Sequence, residues 1–350
     1  LGADTLGSKS TAIGASALNA QNFTSATDTY NTAVGYYAGV AVTTGISNTL
    51  IGGLAGDAFT DADYNVAVGT QALSADTLGS RSVAIGHATL QSQNFTSATN
   101  AYNTAVGMEA GTSVTTGVQN TLIGGSAGKL VTTGTQNTAL GYNSMSATTT
   151  GSYNTAAGKN ALEKNTTGAN NTAIGRESLA SNTTAANNTA VGFNTLILNT
   201  TGAGNTAVGA LALDANTTSA DNTAVGYQAL TAVGATALNA NTTGASNTAV
   251  GKSALAANIT GSNHTALGKD ALLVSTAGGY DTALGDSVLK ANTSGNYNTG
   301  VGASALAANT TASNNTAVGY AALVANTTGA SNTALGYTAL ATNITGNYNT

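Results

Sequence analysis

The chain has 350 residues, of which 7% are charged, with 44 Gly, no Pro, no Cys and a net charge of −5. There is no basic patch for a nucleic acid, no disulfide to staple the fold, and no run of about 18 apolar residues to cross a membrane. With so little charge and no Pro, the composition suits a β ladder better than a disordered chain.

The first 72 residues form a superrepeat. Ala3-Asp-Thr-Leu-Gly-Ser8 returns as Ala75-Asp-Thr-Leu-Gly-Ser80, and Gln21-Asn-Phe-Thr-Ser-Ala-Thr27 returns as Gln93-Asn-Phe-Thr-Ser-Ala-Thr99. Motif glycines stand at Gly14, Gly35, Gly52, Gly69, Gly86, Gly107 and Gly124. The steps are 17 residues except for two of 21, which hold the Asn-Phe-Thr-Ser-Ala-Thr segments. Those read as four-residue loop expansions outside the repeating strands. From Gly124 to Gly226 the step is always 17. The step from Gly226 to Gly251 is 25, which points to a bulged loop or a sequence error at 227–246. Regularity then resumes through Gly336. We therefore expect one continuous solenoid, with the superrepeat over 1–140 and the regular repeat over 141–350. The chain starts inside a repeat and ends on Asn349-Thr350, so a segment of a longer protein is expected.

A fixed period this short marks a solenoid, in which each repeat is one coil stacked on the next. We number each coil from its Asn. Position 1 includes Asn171, Asn188, Asn205, Asn222, Asn247, Asn298, Asn315 and Asn332. These should stack into an amide ladder, interrupted by Ser10, Ser82, His264 and Asp281. Position 9 is Leu in most coils, including Leu162, Leu179, Leu196, Leu213, Leu255, Leu306, Leu323 and Leu340. Side chains alternate along a strand, so Thr at 2 and Val, Ile or Leu at 4 share a face. With Leu at 9 they are expected to fill a thin core. Ala at 3 and Gly at 5 would then form a flat outer face. Gly at 15 suits a turn with positive φ.

Two strands of about five residues and two turns account for the coil. The fold class is therefore all-β, a parallel β-solenoid of about 20 coils and on the order of 95 Å in length. A coil this small encloses little core, so several chains are expected to pack their Ala/Gly faces about a shared axis.

Asn-Thr-Ala-Val-Gly-Tyr-x-Ala-Leu and the variant Ser82-Val-Ala-Ile-Gly86 resemble the head repeats of trimeric autotransporter adhesins. The longer form with Asn-Thr-Thr-Gly is similar to repeats of phage tail-fibre and related surface proteins. The resemblance covers essentially the whole chain. It implies a left-handed, trimeric, extracellular β-roll on a cell or virion surface. The 17-residue coil departs from the shorter adhesin coil, and no neck, stalk or anchor accompanies it.

Catalysis needs convergent titratable groups. His87 and His264 are the two His, and no nucleophile–base–orienter set is legible, so no enzyme and no cofactor are expected. Asp57, Asp61 and Asp63 are close enough in sequence to be candidate Ca²⁺ ligands, although their spacing is not that of an EF-hand. Tyr residues cluster just before position 1 and just after the motif Gly. Tyr320 and Tyr337, one coil apart, should stack and could bind a surface. Asn-x-Ser/Thr recurs at position 12, as at Asn165, Asn182, Asn199, Asn216, Asn241, Asn258, Asn309, Asn326 and Asn343, and offers glycan acceptors.

The leading expectation is the structural shaft or head of an extracellular fibre that supports attachment. Its partner would be itself, as a homotrimer or a filament, with surface glycans or a host receptor as further partners. No nucleic acid and no membrane insertion are expected. The alternatives are a glycan- or host-binding module using the Tyr and Asn/Thr rows, a self-assembling filament subunit, and an ice-binding solenoid using Thr at 13 and 14.

Overall fold

The computed structural model describes residues 4–230 and 243–350 and is all-β. It divides into two compact units, Leu1–Asn171 and Thr172–Thr350. Each unit is a parallel β-solenoid, and together they hold about 19 coils at the 17-residue period. The change from superrepeat to regular repeat, at 140/141, lies within the first unit.

In the first unit Thr11–Ile13 pairs in parallel with Thr32–Val34, Thr32–Val34 with Thr49–Ile51, and so on to Thr155–Ala157. Each residue opposes its equivalent one coil away. The expanded loops lie outside this ladder and build two small sheets of their own, Gly7–Ser8 on Thr27–Asp28 and Gly79–Ser80 on Thr99–Asn100. In the second unit the same ladder runs from Thr172–Ile174 to Thr333–Leu335. Thr223 pairs directly with Thr248. The 25-residue step therefore adds no coil, and the irregularity at 227–246 falls largely on 231–242, outside the described residues.

Three expectations change. First, a coil holds one three-residue strand, at positions 2 to 4, instead of two strands of about five. The rest of the coil is bent by left-handed residues at positions 7, 9 and 17, for example Asn160 (φ 57°), Leu162 (φ 52°) and Asn170 (φ 57°). Such corners break strand geometry, yet N–H to O=C bonds still link coil to coil through them, as from Leu213 N to Ala229 O at 3.1 Å.

Second, the strand faces are the reverse of the expected ones. Ala at position 3 is wholly buried between the terminal coils of the described ladders, for example Ala105, Ala139, Ala190 and Ala266. Position 4 points outward, with Leu140 51%, Ile174 43% and Leu267 50% exposed. The reason is cross-section. Leu at 9 and the Asn side chains at 1 and 12 already occupy the interior, leaving room for only a methyl group at 3. The leucines at 162, 179, 196, 213, 255, 306 and 323 are wholly buried, and Leu340 is half-buried. No Ala/Gly face is therefore available for packing between chains.

Third, the turn glycine that needs positive φ is at position 5, not 15. Gly141 has φ +132°, and a Cβ there would lie 2.7 Å from Gly158 O in the next coil. Position 15 keeps an ordinary φ. Its Gly is favoured by close approach instead, since a Cβ on Gly134 would lie 2.5 Å from Gly151 O.

Candidate functional site

Two polar columns run inside the coils. At position 1, Asn205 N donates to Asn188 Oδ1 at 2.9 Å, and Asn222 N to Asn205 Oδ1 at 3.0 Å. At position 12, Asn199 Nδ2 donates to Asn182 Oδ1 at 3.0 Å, and Asn216 Nδ2 to Asn199 Oδ1 at 2.8 Å. The columns meet at the turn. Gly202 O accepts from Asn188 Nδ2 and from Asn199 Nδ2, each at 2.9 Å. These bonds pair most of the buried amide groups and clamp the turn carbonyl, which lowers the cost of burying them. All eight ladder positions named from the sequence are buried.

This geometry counts against the glycan reading at seven of the nine Asn named at position 12. Asn165, Asn182, Asn199, Asn216, Asn309 and Asn326 are wholly buried and Asn258 is 1% exposed. Asn343 is half-buried, and Asn241 lies outside the described residues. The amide nitrogen that a glycan would modify is the one that holds the ladder. The Thr rows are also engaged. Thr200 Oγ1 at position 13 donates to Thr217 O at 3.0 Å, a bond repeated by Thr293 and Thr310. Position 13 thus points along the stack and does not present a free hydroxyl array.

Asp57, Asp61 and Asp63 do not converge. Asp61 Oδ1 accepts from Thr44 Oγ1 at 2.6 Å, and Asp63 Oδ1 from Ile46 N at 2.8 Å. Both are used to join coils. Burial pushes the Asp57 and Asp63 carboxyls up. No cluster of three His, Cys, Asp or Glu suited to a metal occurs among the described residues.

The structure brings together one group that the sequence reading missed. Ser275 Oγ is 3.5 Å from His264 Nε2, and His264 Nδ1 is 3.6 Å from Asp281 Oδ2. The order is that of a nucleophile, base and orienter. Both separations are loose for hydrogen bonds, and the three residues are 0–1% exposed, so no external substrate reaches them. Asp281 accepts from Asn298 N (2.8 Å), Asn298 Nδ2 (3.1 Å) and Asn292 Nδ2 (3.0 Å). Burial pushes Asp281 up to about 7 and His264 down to about 4.

These residues are ladder substitutions. His264 and Ser275 are positions 1 and 12 of one coil, so a large side chain is matched by a small one. Ser82 and Gln93 do the same in the opposite sense, with Gln93 Nε2 donating to Ser82 Oγ at 3.1 Å. The legible signal is the pairing itself, since at Ser82 and His264 an unusual residue at 1 occurs with an unusual residue at 12.

What remains for recognition is the outer sheet face. Positions 2 and 4 carry Thr or Val, then Val, Ile, Leu or Ala, with no charge in any coil. Position 17 lies on one side, with Tyr64, Tyr102, Tyr153, Tyr280 and Tyr297 exposed, and position 6 on the other, with Tyr142, Tyr320 and Tyr337 exposed. Tyr320 and Tyr337 stack, with ring centroids 5.3 Å apart and planes at 13°. Tyr280 and Tyr297 stack at 5.1 Å and 11°. Arg81 lies over both Tyr64 and Tyr102 in the position 17 column. Compared with known proteins, the chain matches no family model and no curated protein.

Proposed function

We propose that this β-solenoid is a structural segment of an extracellular fibre, the shaft or head of an adhesin- or tail-fibre-like protein, in which copies of the chain associate along their outer sheet faces. The observation that carries this reading is the uncharged Thr/Val/Ile/Leu face. Two side chains wide and repeated every ~4.8 Å, it covers on the order of 300 Å² in each unit. A continuous uncharged face of that size is comparable to the largest patch that a typical monomer exposes, which is often functional. The face is flat and repeats in register, so an identical face packs against it as two sheets do in a dry zipper. Tyr columns on either side suit an interface rim. The resemblance of the repeats to trimeric adhesin heads favours three chains about one axis, a cyclic arrangement that closes the interface.

Light scattering on the purified protein tests this. Three times the chain mass supports the trimeric fibre, and a polydisperse, very large species makes the filament itself the assembly. A monomer overturns the shared-face reading. A monomer that also shows thermal hysteresis would assign the Thr/Val face to ice. A second reading, a module for glycans or a host surface, is favoured by the exposed Tyr columns. It predicts that Y320A/Y337A abolishes adhesion while the fold stays intact.

A further inference from the structure

Tyr280 and Tyr297 occupy position 17 of neighbouring coils, and Tyr320 and Tyr337 occupy position 6 of neighbouring coils. The in-register ladder holds each ring over its equivalent, at 5.1 Å and 11° in the first pair and 5.3 Å and 13° in the second. All four rings are more than half exposed. Tyr280 and Tyr297 have φ of 60° and 58°, which fixes the direction in which both side chains leave the backbone. The two near-parallel rings of each pair therefore lie alongside one another, with centroids 5.1 and 5.3 Å apart.

We propose that the Tyr280–Tyr297 and Tyr320–Tyr337 stacks are sites of oxidative coupling, in which a dityrosine bond staples one coil to the next. The co-reactant is a one-electron oxidant, such as a peroxidase with hydrogen peroxide or a photo-oxidant. Each phenol gives up one electron and its hydroxyl proton. The two radicals join Cε to Cε, and each Cε–H proton then moves to its oxygen and restores both phenols. The pair loses two electrons and two protons in all. With no Cys in the chain, no disulfide can play this part. The staple closes a loop of one coil, and it hinders a solenoid from opening coil by coil.

Unit 1 supplies an internal control. Tyr64 and Tyr102 share the position 17 column but have Arg81 between them, so they should not couple. Tyr348, 84% exposed, controls for accessibility. The full chain would be treated with a ruthenium photo-oxidant and persulfate, digested, and its cross-linked peptides mapped by mass. Linked 280–297 and 320–337 peptides, each two hydrogens lighter than the sum of their parts, are expected to dominate. They should disappear separately in Y297F and Y337F, which keep the ring and the stack. Oxidation should at least double the half-life in hot detergent for the unsubstituted chain and leave the Y297F/Y337F chain unchanged. Cross-links that follow exposure, led by Tyr348, or links mainly between chains, would overturn the proposal. Equal protection of the double variant would overturn the stapling role.

Discussion

Leu122 occupies the space that a side chain at Gly128 would need: a Cβ on Gly128 would lie 2.6 Å from Leu122 Cδ2. Gly111, one coil earlier, has the same relation to the other branch, at 2.7 Å from Cδ1. In most coils position 3 is Ala and position 9 is Leu. Here the bulk moves to position 3, and the Gly at 9 on either side makes room for it. L122A alone should cost about 2–5 kcal/mol through the cavity it leaves. G128L alone should be at least as damaging through overpacking. The double substitution L122A/G128L restores the common Ala at 3 and Leu at 9, so denaturant melts should place it well above the sum of the two single losses. Additive losses would refute the shared space.

The reversed strand faces give the second prediction. A173V adds volume beside the core and should cost ~1–3 kcal/mol. I174T on the outward face should change stability by about 0.5 kcal/mol or less, while I174K should reduce self-association at the same protein concentration. Thermal melts and sedimentation separate the two effects.

The position 12 amides give the third. N199A removes a donor to Asn182 Oδ1 and to Gly202 O and an acceptor for Asn216 Nδ2. It should cost about 1–3 kcal/mol for the groups left unpaired. In a host that glycosylates Asn-x-Thr, intact-mass measurement of the folded protein should find no glycan at Asn182, Asn199 or Asn216.

The fourth concerns pH. Asp281 moves up from 3.8 to about 7, so on its own it would cost stability as pH rises from about 4 to 7, where the folded state holds a proton that the unfolded chain has lost. His264 moves down from 6.5 to about 4, so on its own it would cost stability as pH falls from 6.5 to 4. The two slopes oppose each other and nearly cancel between about 4 and 6.5. The unsubstituted chain should therefore show a flat stability profile there. H264N leaves Asp281 uncompensated, and its stability should fall on going up to pH 7. D281N leaves His264 uncompensated, and its stability should fall on going down to pH 4. Each unit of pH along either slope is worth about 1.4 kcal/mol. Urea midpoints at several pH values check this, and matching profiles in all three proteins would rule out the compensation.

Some features were legible because they depend on period alone. The 17-residue spacing, the Asn ladder and the burial of Leu162 or Leu213 need only the rule that equivalent residues stack. The direction in which Ala139 and Leu140 point was not legible. Alternation assigns both residues to opposite faces but does not say which face is inside. Hydropathy favours the larger side chain for the core, and here the interior was already occupied by Leu at 9 and by amides.

The His264–Ser275 and Ser82–Gln93 pairs lie eleven residues apart, too far for local rules to connect them. Only the closed coil brings positions 1 and 12 together. By itself, then, the sequence determined a parallel solenoid of 17-residue coils, because a strict repeat admits little else. The tertiary structure alone decided which strand face joins Leu at 9 in the core and which amides are held in ladder bonds. That decision rests on the volume inside one coil, and volume depends on all 17 residues at once.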